Sequence, residues 1–259
     1  MIVPTLVILC GGKGTRLREQ TEFIPKPLVK IGDMPILWHI MKYYSGFGVK
    51  RFILCLGDKG DMIKRFFIEY RWNHSDIILK FRDNSIKSRD RTEDWEIIFA
   101  ETGINANSGS RIKQIEKYIE DDNFYMTYGD GLADVDIDRL YKFHLRHGKI
   151  ATVTTVRPRT RFGCLDIQGT AVTKFEKKEM SNRGWIDGGF FVFKKTIFNH
   201  LKANDENMLE RDCLPYLAEK KQFHAFKHKG FWQCMDTQKE VDILNNLMKK
   251  NQVPVSQKK

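Results

Sequence analysis

The chain has 259 residues, 41% hydrophobic and 30% charged, enough to bury a sizeable core in one large domain or two small ones. A formal net charge of +11 is dispersed among acids, as in "KSRDRTED" (87–94), with no RRM, KH, zinc-finger or basic-zipper pattern, so nucleic acid is not the expected partner. No apolar run approaches the roughly 20 residues of a membrane span, the first residues do not read as a secretion signal, and five isolated cysteines fit a reducing cytoplasm.

In chain order, "TLVILC" (5–10) is a continuous β-branched and apolar run, as expected of a strand buried on both faces. "RFILCL" (51–56), "IILKF" (77–81) and "NFYMTYGD" (123–130) repeat it, and Cys10, Cys55 and Cys164 read as small buried hydrophobes in such runs. Helical periods lie between. Leu37, Ile40, Met41, Tyr44 and Phe47 share one face of "MPILWHIMKYYSGFG" (34–48), and "DMIKRFFIEY" (61–70) and "RIKQIEKYIEDD" (111–122) follow. Strands alternating with helices predict an α/β fold with a doubly wound, mostly parallel sheet. After about residue 150, "IATVTTV", "GCLDI", "AVTKFEK" and "DGGFFVFKK" are strand-like, and "NMLERDCLPYLAEKK" and "TQKEVDILNNLMKK" are helical. A single domain over 1–250 with a mixed-sheet C-terminal extension is the economical reading, with 251–259 as a solvated tail.

The turn "LCGGKGTRL" (9–17) places glycines at the carboxyl end of the first strand, where open α/β sheets bind ligands and bare amides can cradle phosphate oxygens. Walker A is excluded, because Gly14 is followed by Thr15 and Arg16 and not by Lys-Ser/Thr. A dinucleotide fingerprint is excluded by the missing last glycine. Lys13, Arg16, Arg18, Lys26 and Lys30 crowd the same stretch, the charge that an anionic ligand requires.

"LCGGKGTRL" followed by "PKPLVKIGDMPIL" resembles the sugar nucleotidyltransferase family. "ILWHIMKYY", "TYGDG", "RFGCLDI", "DGGFFVF" and "GFWQCMDT" are similar, in order, to its cytidylyltransferase branch, so the match covers nearly the whole chain. The resemblance implies a Rossmann-like sheet with a nucleotide-binding half (1–150) and an acceptor-binding half (151–250). It implies transfer of CMP from CTP to a phosphorylated acceptor, with pyrophosphate leaving, and a homo-oligomer. The expected acceptor is a hexose 1-phosphate such as glucose 1-phosphate, giving CDP-glucose for a surface polysaccharide. By the same resemblance Leu9, Gly11, Gly12, Gly14, Thr15 and Arg16 hold the triphosphate, Lys26 reaches the reacting phosphates, and Thr102, Gly103 and Arg111 contact the nucleotide. Asp130 and Asp236 correspond to the family's two metal aspartates for Mg²⁺ or Mn²⁺. Read locally, Asp130 would be a turn residue, Asp236 an N-cap and Arg111 a solvent-facing helical residue.

For the acceptor, Glu176, Lys177, Asp187, Gly188 and Trp232 occupy the expected segments, but "FEKKEM" (175–180) lacks the family's proline and Asp187 replaces an asparagine. Arg157 and Arg159 stand where glucose-specific relatives are uncharged. A carboxylate that only accepts hydrogen bonds and two guanidiniums that fit acid groups would also suit an amino-acid phosphate. The alternative acceptor is therefore L-glutamine phosphate, as in capsule phosphoramidate biosynthesis. An inactive nucleotide-binding regulator is a third reading. His39, His74, His144 and His147 show no metal spacing and read as structural, and Trp38 and Trp72 as packing residues.

Overall fold

The computed structural model describes residues 3–88, 93–157, 164–176 and 184–254. Seven strands form the central sheet: β1 (Leu6–Leu9), β2 (Arg51–Leu56), β3 (Glu96–Glu101), β4 (Asn123–Tyr128), β5 (Ala151–Val156), β6 (Ile186–Lys194) and β7 (Phe223–Lys227). Their order is β7-β5-β6-β4-β1-β2-β3. β1 pairs in parallel with both β2 and β4, β2 with β3, and β5 with β7, whereas β6 runs antiparallel to β4 and β5. The expected α/β architecture, mostly parallel and then mixed, is what the chain adopts.

The α-helices of six residues or more are α1 (Ile36–Ser45), α2 (Gly60–Asn73), α3 (Ser108–Gln114), α4 (Ile137–His147), α5 (Leu214–Glu219) and α6 (Gln238–Lys249). Alternation along each strand divides the core in two. Leu6, Ile8, Phe52, Leu54 and Tyr125 face α1, α4 and α6, while Val7, Ile53, Phe124 and Met126 face α3 and α5. Both faces being covered, the strands read as unbroken apolar runs. In α1, Leu37, Ile40, Met41 and Tyr44 are buried as the periodicity predicts, and Phe47 lies past the helix end.

Two expectations are corrected. "IILKF" forms a strand at Ile77–Lys80, but it pairs with Ser85–Ser88 in a separate hairpin, and Ile77, Ile78, Leu79 and Ile86 are exposed. The sheet position falls instead to β3, whose "EIIFAE" is flanked by charge. An apolar run records affinity for a nonpolar surface, and cannot tell this chain's core from an outer face. The helix expected over 111–122 begins earlier and ends at Gln114, giving way to a 3-10 turn at Glu116–Tyr118. Among the described residues no helix is long and apolar enough to cross a membrane. Cys10 and Cys55 are buried as expected.

Candidate active site

After β1 the backbone turns through Gly11, Gly12 and Gly14 into a 3-10 turn at Thr15–Leu17. Gly14 has φ +63°, which L side chains rarely adopt, and a Cβ there would press on Thr21 at 2.9 Å. The Thr21 hydroxyl closes the turn, 2.9 Å from the Gly14 carbonyl and 2.7 Å from that of Leu17. Gly11 is needed for another reason: a side chain would collide with the Arg111 guanidinium. A Cβ at Gly12 would meet nothing, and Gly12 lines the adjoining cleft.

Arg111 is 4% exposed and braces the loop from beneath. Its Nη1 donates to the Leu56 carbonyl (2.8 Å) and to Thr102 Oγ1 (2.7 Å), and its Nη2 to the Gly11 carbonyl (3.0 Å). Burial lowers its pKa, but an arginine stays charged at any ordinary pH. Thr102 in turn donates to the Leu56 carbonyl at 2.6 Å, and Gly103 turns the chain at φ +88°. Arg111 is thus not the solvent-facing residue that its sequence allows. A cleft of about 300 Å³ opens above this brace, lined by Leu9, Gly11, Gly12, Gly14, Thr15, Lys26, Ser108, Arg111, Tyr128 and Asp130 among others. Thr102 and Gly103 stand behind its wall.

Asp130 lies between Gly129 and Gly131, just past β4. Gly131–Ala133 pairs antiparallel with Trp232–Cys234, joining Gly131 to Cys234, and Met235 N–H donates to the Asp130 carbonyl at 2.8 Å. This ladder delivers Asp236 to Asp130. Glu240, in the first turn of α6, accepts from the Asp236 and Thr237 amides at 2.8 and 2.9 Å, so Thr237 is the N-cap and the Asp236 side chain is directed elsewhere. It meets Lys26, held between Pro25 and Pro27. Lys26 Nζ donates to Asp130 Oδ2 at 2.6 Å and to Asp236 Oδ1 at 2.5 Å, so the two carboxylate oxygens are no more than about 5 Å apart. Burial opposes the ammonium charge, yet the two aspartates outweigh it and hold the Lys26 pKa above the usual range.

A second cleft of about 360 Å³ opens on the other side of Asp130, lined by Asp187, Gly188, Glu210, Trp232 and Asp236 and sharing Tyr128 and Asp130 with the first. Trp232 Nε1 donates to the Gly188 carbonyl at 2.8 Å, fixing the indole on the rim. Asp187 Oδ1 accepts from the Gly189 amide at 2.7 Å. Burial, with the Glu210 charge adding to it, pushes Asp187 up to about 6 against the relief of that amide bond. Tyr128 donates to Glu210 Oε1 at 2.5 Å, and burial with the two nearby carboxylates holds its phenol far above the ordinary range, as a neutral donor. Glu210 Oε2 accepts from Ser108 Oγ at 2.6 Å.

Tyr128 and Glu210 were not singled out from sequence. Tyr128 sits inside the "TYGDG" motif, which was the available signal. Glu210 had none, for it belongs to a π-helical turn, Leu209–Cys213, that a helical pattern conceals. Arg157 is exposed and is not among the described residues lining the two clefts; its guanidinium carbon lies 4.8 Å from the centroid of the Trp185 ring, where cation–π attraction holds it. Arg159 and Lys177 lie outside the described residues, and only the backbones of Arg16 and Glu176 are described.

In this α/β fold two clefts meet at one pair of carboxylates. A family model described as "Nucleotidyl transferase" matches residues 5–249, and the chain belongs to that family. It is 44% identical over 250 residues to a glucose-1-phosphate cytidylyltransferase from Salmonella typhi, covering 96% of this chain and 97% of the relative. Its identity to the protein of the same name from Salmonella typhimurium is 43% over 250 residues, with the same coverage. Among solved structures, HddC from Yersinia pseudotuberculosis superposes with a TM-score of 0.68 at 26% identity, covering 95% of this chain and 100% of HddC.

Proposed function

We propose that the protein transfers CMP from CTP to glucose 1-phosphate, yielding CDP-glucose and pyrophosphate. The observation that carries this reading is the meeting of two clefts at Asp130, with Lys26 and Asp236 in hydrogen-bond reach. The glycine-lined cleft takes the triphosphate on the amides of Gly11, Gly12 and Gly14, with Thr15 and Arg16 beside them. The second cleft takes the sugar, whose hydroxyls can donate to Asp187 and Glu210. An oxygen of the acceptor phosphate, whose second pKa is near ~6, attacks the α-phosphorus as a dianion. The bond from α-phosphorus to the bridging oxygen breaks as the new one forms, and pyrophosphate leaves in line. No general base is required, so the chain's task is alignment and charge neutralisation.

Asp130 and Asp236 fit a Mg²⁺ or Mn²⁺ ion: two hard carboxylates within bridging distance, beside a cleft whose phosphates would complete the shell. Such an ion, when bound, supplies charge neutralisation at the reacting phosphates. The sugar acceptor is favoured over the amino-acid acceptor because the relatives at 44% and 43% identity are glucose-1-phosphate cytidylyltransferases. Pyrophosphate release from CTP with glucose 1-phosphate, set against L-glutamine phosphate, tests the reading. Absence of turnover with the sugar phosphate eliminates it, and absence with both favours an idle regulator. The product is proposed to serve surface-polysaccharide synthesis in the cytoplasm. The exposed apolar hairpin at 77–88 supports a homo-oligomer, which a single-chain mass in sedimentation would overturn.

A further inference from the structure

The cation between Asp130 and Asp236 is one the chain carries itself. Lys26 Nζ contacts both carboxylates at once, at 2.6 and 2.5 Å, and its side chain is only 13% exposed. Its backbone is pinned: Pro25 and Pro27 flank it in a 3-10 turn, and the Val29 amide donates to the Lys26 carbonyl at 3.1 Å. The four-carbon stem is not so constrained, and Lys26 also lines the glycine cleft, with Gly12 and Thr15 along the same wall. The ammonium therefore has two sets of anions within its compass, the carboxylates on one side and whatever anion occupies the cleft on the other.

We propose that Lys26 is an exchangeable counter-ion: it neutralises the two-aspartate seat, and it transfers to the nucleotide's phosphates when a divalent ion takes its place between the carboxylates. This rests on the reading of Asp130 and Asp236 as the metal pair. A divalent cation and an ammonium cannot both make close contact with the same two oxygens without strong like-charge repulsion. The lysine can leave cheaply only if a new anion receives it, and the triphosphate is that anion. Metal and nucleotide are thereby obliged to load together. The free seat resists metal alone, and the two carboxylates never face one another uncompensated.

The test is Mn²⁺ binding followed by the electron-paramagnetic-resonance signal of free Mn²⁺, which requires no turnover. Wild-type protein is expected to bind Mn²⁺ alone at least tenfold more weakly than in the presence of a CTP analogue with a non-hydrolysable α–β bridge. Lys26→Met is expected to raise the affinity for Mn²⁺ alone by about tenfold or more and so narrow that gap. Lys26→Gln, checked like the first variant for a native melting transition, is expected to repeat the shift. Adding Asp236→Asn to Lys26→Met is expected to abolish the gain. If both lysine variants bind Mn²⁺ alone no better than wild type, while Asp236→Asn still weakens binding with the analogue, the exchange is refuted and the metal seat stands. If neither Asp130→Asn nor Asp236→Asn changes Mn²⁺ affinity in any of these settings, the metal seat itself is wrong and the exchange falls with it.

Discussion

Replacing Asp187 by asparagine is expected to change the pH dependence of acceptor use in a calculable way. With a pKa near 6, Asp187 is about nine-tenths ionised at pH 7 and about one-tenth at pH 5. A hydrogen bond from a sugar hydroxyl to a carboxylate contributes ~1.5–3 kcal/mol, against ~1 kcal/mol for a neutral acceptor. The difference, of order 1–1.5 kcal/mol, corresponds to about tenfold in kcat/KM for the acceptor. The phosphate of the acceptor also titrates near ~6, so the wild-type profile alone is ambiguous. The ratio of wild type to Asp187→Asn cancels the substrate. Measured by pyrophosphate release at saturating CTP and low glucose 1-phosphate, that ratio is expected to fall about fivefold from pH 7.5 to 5, because the tenth of Asp187 still ionised at pH 5 keeps part of the advantage. A ratio constant within twofold across this range would refute a role for the Asp187 charge in binding. The same shift has a consequence for stability. Because the folded-state pKa lies above that of an ordinary carboxylate, the protonated form is favoured by folding, and that contribution is lost as pH rises from about 4 through about 6. Asp187→Asn should therefore raise Tm at pH 7.5 and leave it unchanged at pH 4.

Asp130→Asn and Asp236→Asn are each expected to lower kcat at least about 100-fold with Mg²⁺, because each removes a carboxylate that would hold the ion neutralising the reacting phosphates; near-normal turnover of either variant removes the metal pair from the chemistry. Arg111→Lys keeps the charge but cannot span Leu56, Thr102 and Gly11 together. It should raise the KM for CTP about tenfold with little effect on the KM of the acceptor, and equal effects on both would contradict its role as a brace under one cleft. Acid should weaken the fold through His144. The Lys149 amide donates to His147 Nδ1, so His147 Nε2–H donates to Thr152 Oγ1 at 2.7 Å, the Thr152 hydroxyl donates to His144 Nδ1 at 2.8 Å, and His144 Nε2–H donates to Asn123 at 3.0 Å. This chain needs both rings neutral. Burial pushes fully buried His144 down to about 3, below its ordinary value, so its stability contribution is present above pH ~6.5 and lost as pH falls. The loss between pH 7 and 5 is about 2 kcal/mol for this residue by linkage; urea midpoints for wild type and His144→Gln that move in parallel over that range would show the chain to be inert.

What the sequence by itself determined is what short-range physics encodes. Unbroken apolar runs announced β1, β2 and β4 as strands buried on both faces, the three- and four-residue spacing announced α1, and glycines before Thr15 announced a turn with open amides. Family order then brought Asp130, Asp236 and Lys26 into view, yet nothing local says that they touch. Lys26 lies 104 and 210 residues from its two partners, and their meeting depends on the pairing of Gly131 with Cys234 and on Glu240 holding the Asp236 amide. Tertiary structure also decided against local expectation. It sank Arg111 beneath the glycine loop, stacked Arg157 on Trp185, and placed "IILKF" on an outer hairpin. In each case the residue type states only what contact is favourable, a carbonyl cluster, an indole face or another apolar surface. Which contact is available depends on segments that arrive from elsewhere in the chain. Glu210 is the plainest instance: a charged residue in a helical pattern gave no hint of its place between Tyr128 and Ser108, because the π-helical turn that directs it there is set by packing.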